Sequence, residues 1–257
     1  MPVIHPTASV AREAQLAESV EIGPFCVLTG AVRLGAGVRL IGNVYLNGPV
    51  AIGEGTTVYP FACIGFPPQD VKFKLGDATA GVIVGQNGLI REHATIHSAS
   101  NDQTPTTVGD RVFMMVNTHL GHDAKVGNNV VMVNNSAVGG HGQLYDNATL
   151  GGGALVHQFC RVGRLAMISG GVAVSVDVPP FCISDERNRI KGINVVGLRR
   201  AGFARQHITD VRLAFRDLLR SPMDRDELVA EVLKRGKDCP SGETTVAALS
   251  EGAGEDE

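Results

Sequence analysis

The sequence predicts a mainly β protein, a parallel β-helix built from six-residue repeats with a small α-helical domain at its C-terminal end. Three observations predict it. An aliphatic residue recurs at every sixth position through most of residues 4–174, a small or β-branched residue follows four places later in most repeats, and the spacing turns helical after residues 177–181. A strict period of six excludes one long helix, because 3.6 residues per turn would scatter these positions around its surface. Stacked coils of short strands and turns satisfy it, each coil burying its aliphatic residues in a continuous column.

The elements follow in order. Val10, Leu16, Ile22, Leu28, Leu34, Leu40, Leu46, Ile52, Val58 and Ile64 hold the phase, with Ala8, Ala14, Val20, Cys26, Val32, Val38, Val44 and Val50 at the smaller position. The phase breaks after Ile64, restarts at Val84, Ile90 and Ile96, lapses at Asp102, and runs again from Val108 to Val174. These breaks place loops at residues 65–83 and 97–107 within a β-helix spanning residues 1–182. Three repeats per coil give an 18-residue period and a triangular prism in which Cys26 and Cys160 pack inward. The prolines of "DVPPF" (177–181) stop the repeat. Phe203, Ile208, Val211, Phe215 and Leu218 share one helical face, and Leu228 and Val232 suggest a further helix after Ser221 and Pro222, which gives a helical C-terminal domain over residues 183–240. Residues 241–257, small and acidic, read as a disordered tail.

Composition narrows the function. The chain of 257 residues has a formal net charge of −3, which argues against nucleic-acid binding through a basic surface. Its five cysteines form no CxxC pair and their odd number disfavours a disulfide framework. The N-terminus lacks the basic and apolar regions of an export signal, and no apolar run is long enough for a membrane span. A soluble cytoplasmic protein is expected.

Chemistry is concentrated in "NTHLGHDAKVGN" (117–128). Residues 18 apart stack at the strand spacing of about 4.8 Å. One coil above His122 stands Gly140, beside His141; two coils above stands Gln158, beside His157. His119, His122, His141, His157 and Gln158 therefore form one strip. Exposed imidazoles need no explanation singly, but the strip gathers four of the chain's eight histidines. An imidazole beside a carboxylate such as Asp123 can take a proton from a hydroxyl, and a backbone N–H at Gly140 can stabilise an oxyanion. That combination suits acyl transfer to an alcohol, with the acceptor hydroxyl as the nucleophile. Gln69, Asp70 and Lys72 of the first loop are candidates to reach a neighbouring surface, and Arg199 and Arg200 to bind phosphate.

The stretches "IHPTA", "IGPFC", "PPQDVKFK", "IREHATIH", "NTHLGHDAKVGNN", "VHQFCRVG", "DVPPF" and "GLRRAGF" cover most of residues 3–204. With them the sequence resembles the UDP-N-acetylglucosamine O-acyltransferases that begin lipid A synthesis. The resemblance implies a left-handed β-helix, a homotrimer with active sites between subunits, and transfer of an R-3-hydroxyacyl chain from acyl-carrier protein to the glucosamine 3-hydroxyl. No cofactor or metal is implied. By the same resemblance His122 is the general base, Asp123 its partner and Gly140 the oxyanion donor. Asp70, Gln69, Lys72, His119, His141, His157 and Gln158 bind substrate, Gly170 sets acyl length, and Asn194 and Arg200 lie near the nucleotide or the acyl carrier.

Several positions depart from that family pattern. Ser98, Ala99 and Ser100 replace an Arg-Gly-Thr, Val196 stands at a Glu position, Ala201 at a basic one, and residues 183–192 are altered and slightly shortened. Three other readings remain open on the residues alone: a zinc enzyme of the γ-carbonic anhydrase type, a CoA-dependent hexapeptide acetyltransferase, and a non-catalytic scaffold.

Overall fold

The computed structural model describes residues 1–74 and 76–220. Its strands, mostly two or three residues long, form three parallel faces. Face A starts at Val3–Ile4, face B at Ser9–Val10 and face C at Gln15–Leu16, and the chain visits A, B and C in turn. Each strand pairs with the strand one coil away, so Leu120 sits over Val138 and Val138 over Val156. The sixth-position residues point into the prism, and from Ile22 to Val174 they form one buried aliphatic core. Deleting one such side chain costs about 2–5 kcal/mol, because neighbouring coils cannot close the gap. Cys26 and Cys160 belong to this core as expected.

The turns explain the short strands. From Phe25 onward the tight corners place their second turn residue in the left-handed region, with φ near 60° at Asp123, His141, Asn129 and Asn147. Asn, Asp and Gly tolerate that conformation best, which accounts for their frequency at this place.

Both interruptions leave face B and return on face C. The first connects Cys63–Phe66 to Val82–Val84, the second Thr95–His97 to Thr106–Val108. Strand pairing therefore shortens both loops relative to the expected 65–83 and 97–107, since Val82 and Thr106 are already on the ladder with each other. His122 and Asp123 occupy the next corner of the same edge, so the loops lie directly beneath the histidine strip.

The C-terminal region departs from expectation. A helical domain was expected from residue 183, but Cys182–Glu186 and Arg189–Ile193 form an antiparallel hairpin that extends face A, turning at Asn188 with φ 56°. Alternation overrides the helical reading here: Cys182 and Ser184 face the interior while Ile183 between them does not. Helix α1 (Val195–Arg200) and helix α2 (Arg205–Arg220) follow. Ile208 and Val211 of α2 are buried with Leu198 of α1, Leu165 and Phe181, and Phe203 packs against them. This bears out the helical face at Ile208 and Val211, whereas Phe203, expected on the same face, packs from the turn that precedes α2. The helix expected through Leu228 and Val232 and the tail at 241–257 lie outside the described residues, and Leu218 is described only for its backbone.

Candidate active site

The centre of the strip is a His–Asp pair at one corner. His122 Nδ1 donates to Asp123 Oδ2 at 2.7 Å, which fixes the tautomer that leaves Nε2 as an acceptor. The Asp123 carboxylate, almost fully buried, is held from the second loop: Ser100 Oγ donates to Oδ2 at 2.6 Å and Asn101 Nδ2 to Oδ1 at 2.7 Å. The Ser100 N–H lies 3.2 Å from both oxygens, and the Asp123 N–H donates to Thr106 Oγ1 at 2.8 Å. Burial would raise the carboxyl pKa, but the hydrogen bonds from Ser100 and His122 and the nearby His141 outweigh it and hold it below its ordinary value. Asp123 is therefore ionised at neutral pH.

Gly140 completes the centre in two ways. A Cβ there would stand 2.6 Å from His122 Nε2, so the glycine leaves room for the ring and for a reacting atom beside it. Its own N–H has no acceptor among the described residues. The N–H at the same turn position is dispensable to the fold, since Pro6, Pro24, Pro60 and Pro180 occupy that position at other corners. A free N–H beside a basic nitrogen is the arrangement that stabilises a developing oxyanion.

The neighbouring imidazoles differ in setting. His141 crosses His122 edge-on at 5.2 Å between centroids, brings Nε2 to 3.6 Å from Asp123 Oδ2, and stacks on the exposed Phe159 ring at 4.6 Å. His119 meets Thr95 Oγ1 at 2.8 Å and packs edge-on to His97, whose Nδ1 donates to the Pro67 carbonyl at 2.7 Å. Burial lowers the pKa of both His97 and His119; at His97 the hydrogen bond to the Pro67 carbonyl opposes this without overcoming it, and the proximity of His122 to His97 and of His97 to His119 adds to the lowering. They remain neutral.

Other candidates stand apart. His157 and Gln158 continue the strip above Gly140, exposed, with His157 Nδ1 3.2 Å from the Gln158 carbonyl and no hydrogen bond to the His–Asp pair. Gln69, Asp70 and Lys72 sit in the first loop, where Asp70 accepts from the Lys72 N–H at 2.9 Å. Asn194 caps α1: its Oδ1 accepts from the Gly197 N–H at 2.9 Å and its Nδ2 donates to the Leu165 carbonyl at 2.8 Å, so both ends of the amide serve the fold. Arg200 is exposed on the last turn of α1, one residue before Ala201. Gly170 follows a face A strand and thus lies at the A–B corner, on a different edge of the prism from His122. Ser100, Asn101, Thr106, His97 and Phe159 were not singled out as site residues from the sequence.

His122, Asp123 and His141 also offer ligand atoms within 4.8 Å of one another. The carboxylate oxygens, however, already accept from Ser100, Asn101 and His122, and His122 turns Nδ1 to the carboxylate rather than to a shared centre. The donor set fits a hydrogen-bonded dyad better than a zinc triad, whose ligands converge at about 2.0–2.2 Å.

A β-helix of six-residue repeats carrying a His–Asp pair beside an uncapped N–H has the features of an acyltransferase of the hexapeptide-repeat class. Within that class the family is set by comparison. A relative from Thermodesulfovibrio yellowstonii, an acyl-[acyl-carrier-protein]–UDP-N-acetylglucosamine O-acyltransferase, is 42% identical over 91% of this chain and 91% of its own. One of the same description from Rhizobium johnstonii is 40% identical over 92% of this chain and 87% of its own. The solved Francisella novicida UDP-N-acetylglucosamine acyltransferase superposes with a TM-score of 0.91 at 33% identity, covering 96% of this chain and 91% of that one. The Moraxella catarrhalis UDP-N-acetylglucosamine O-acyltransferase gives 0.90 at 32% identity, covering 96% of each chain. The family model described as UDP-N-acetylglucosamine O-acyltransferase, domain 2, matches residues 177–253. The chain belongs to the UDP-N-acetylglucosamine O-acyltransferase family and has its left-handed β-helix.

Proposed function

We infer that the protein transfers an R-3-hydroxyacyl chain from acyl-carrier protein to the 3-hydroxyl of UDP-N-acetylglucosamine, the first step of lipid A synthesis, with His122 as general base. One observation carries the chemistry: His122 Nδ1 is tied to Asp123 at 2.7 Å while Nε2 faces the space left by Gly140. Nε2 takes the proton of the acceptor hydroxyl as its oxygen attacks the thioester carbonyl. The charge that develops on the carbonyl oxygen falls to the Gly140 N–H. Collapse breaks the carbon–sulfur bond, and the carrier thiolate takes the proton back from the His122 imidazolium. Asp123 stabilises that imidazolium without being protonated itself.

The same reading extends to the assembly. Above Arg39 the outward column of face A runs Thr57, Leu89, Phe113, Val131, Thr149 and Met167, and that of face B runs Cys63, Thr95, His119, Ala137, Leu155 and Ala173, none carrying a carboxylate, ammonium or guanidinium. Face C runs Ala51, Ile83, Thr107, Lys125, Gln143 and Arg161, so its upper coils carry charge where those of faces A and B do not. A homotrimer that covers faces A and B and exposes face C accounts for the difference. It places each site between subunits, where His119, His141, His157, Gln158, Gln69, Asp70, Lys72 and the Gly170 edge meet one substrate. Asn194 acts there by holding α1, and Arg200 by facing the nucleotide or the acyl carrier. A reducing cytoplasm suits the free thiols of Cys26, Cys63, Cys160 and Cys182.

The test is a purified-protein assay with UDP-N-acetylglucosamine and hydroxyacyl-carrier proteins of several lengths, read by mass, with acetyl-CoA as a parallel donor. An O-acyl product from the carrier protein is expected, and product from acetyl-CoA alone would overturn the donor. His122→Ala should lower turnover roughly 10²- to 10⁴-fold with the trimer intact; retained turnover would remove His122 as the base.

A further inference from the structure

The Asp123 carboxylate has two imidazole neighbours and serves one. Its Oδ2 is 2.7 Å from His122 Nδ1 and 3.6 Å from His141 Nε2. A carboxylate free to turn about its last side-chain bond would distribute itself between them, and a change of partner would change which ring is held as a base. Two residues of the second loop prevent that rotation. Asn101 Nδ2 binds Oδ1 at 2.7 Å, and Ser100 Oγ binds Oδ2 at 2.6 Å beside His122. Asn101 is itself fixed, its Oδ1 accepting the Gln103 and Thr104 N–H groups at 2.9 and 2.8 Å. Its carbonyl accepts the Ala80 N–H of the first loop at 2.6 Å.

We propose that Ser100 and Asn101 are positioning residues that assign the Asp123 carboxylate to His122 rather than to His141, and so decide which histidine is the base. The inference rests on His122 being that base. Four donors are committed to the two oxygens, the Ser100 hydroxyl and N–H, Asn101 Nδ2 and His122 Nδ1, so His141 stays beyond hydrogen-bond distance and is left to contact substrate. The loop that carries the clamp is joined through Ala80 to the loop that carries Asp70 and Lys72, so the base and that loop share one support.

The experiment compares Ser100→Ala, Ser100→Thr and Asn101→Ala in the full chain by steady-state kinetics and by nitrogen NMR of the His122 ring. Supporting groups that orient a functional side chain are worth roughly 10- to 100-fold. Ser100→Ala is expected to lower kcat by about that factor, leave KM for the nucleotide sugar within about two-fold, and mix the two His122 tautomers. Ser100→Thr keeps the hydroxyl and should restore both kcat and the single tautomer. In a His122→Ala background Ser100→Ala should cost nothing further, because the two act through one path. The proposal is overturned if Ser100→Ala and Asn101→Ala keep wild-type kcat and tautomer. It is also overturned if the loss appears in KM and Thr does not rescue it. Absence of any O-acyl product from the wild type would refute the proposed reaction instead, while the tautomer measurement would still decide the clamp.

Discussion

Two edges of the prism are built from the same turn and do different work. At three successive C–A corners the N–H of the first turn residue is capped by a side chain one coil above: Gln86 by Asp110 Oδ1 at 3.0 Å, Asp110 by Asn128 Oδ1 at 2.8 Å, and Asn128 by Asp146 Oδ1 at 2.6 Å. At the B–C corner the corresponding residues are His122, Gly140 and Gln158, and the Gly140 N–H is left uncapped among the described residues. The ladder at one edge spends its polar side chains on the backbone. At the other, the polar side chains bind one another, as His122 and Asp123 do, or stand exposed, as His157 and Gln158 do, and the backbone donor is available to a ligand. A shared turn thus becomes either scaffold or site according to what stands one coil above.

Asp123→Asn tests the difference most severely. An amide preserves shape but cannot accept the His122 proton with the same strength, and it favours the wrong tautomer. Turnover should fall roughly 10²- to 10⁴-fold, and the thermal midpoint should fall as well, because the buried carboxylate with its lowered pKa also stabilises the fold. A variant that keeps wild-type kcat would mean that the carboxylate at this corner is structural, like those at the C–A corner.

Gly140→Ala should come next. No left-handed φ is needed at Gly140, and non-glycine residues occupy the same turn place at His122 and Gln158. The glycine is required by the His122 ring, which a methyl would meet at 2.6 Å. A displacement of about 1 Å in a catalytic group costs roughly 10²-fold. The expected outcome is a fall of that order in kcat with normal folding, read by kinetics and circular dichroism together.

How the site was legible follows from this geometry. Coil arithmetic places Gly140 over His122 and His141 over Asp123 because their separation is one undisturbed coil. The same arithmetic puts Phe159 over His141, so that stack was available in the sequence but masked by attention to polar residues. Ser100, Asn101 and Thr106 were not available. The second loop breaks the phase, and Ser100 reaches Asp123 across 23 residues rather than one coil. Ser100 stood out only as a departure from the family pattern, whereas the structure makes it a donor to the central carboxylate. The hairpin at 182–193 was hidden for another reason: its two strands pair locally and antiparallel, without the six-residue period that marked the others.

Asn128→Ala is the matched control at the other corner. It removes the acceptor for the Asp110 N–H, which stays partly buried. A lost hydrogen bond of this kind costs about 1 kcal/mol, or about 2–4 °C in thermal midpoint for a chain of this size. Activity should stay within about two-fold, the scale of surface changes far from chemistry. A large kinetic loss here, measured beside Gly140→Ala, would erase the distinction between the two edges.

Acid separates the corners by the smallest effect. Burial holds His97 and His119 below their ordinary pKa at the B–C edge, so the folded state resists protonation there more than the unfolded chain does. The unfolded chain binds these protons as pH falls through about 6.5, its ordinary histidine value. Their contribution is therefore fully present above that pH and is lost progressively below it, toward the lower folded values. Asp110 and Asp123 have lowered folded pKa values, so their stabilisation is intact above the ordinary carboxylate range and disappears only in stronger acid. Between pH 7.5 and 5.5 the carboxylates of both edges are thus silent and the two half-buried histidines are not. The thermal midpoint should fall across that window in the wild type. The fall should be smaller in a His97→Gln, His119→Gln variant, while Asn128→Ala, which changes only an amide at the other edge, should shift the midpoint equally at both pH values.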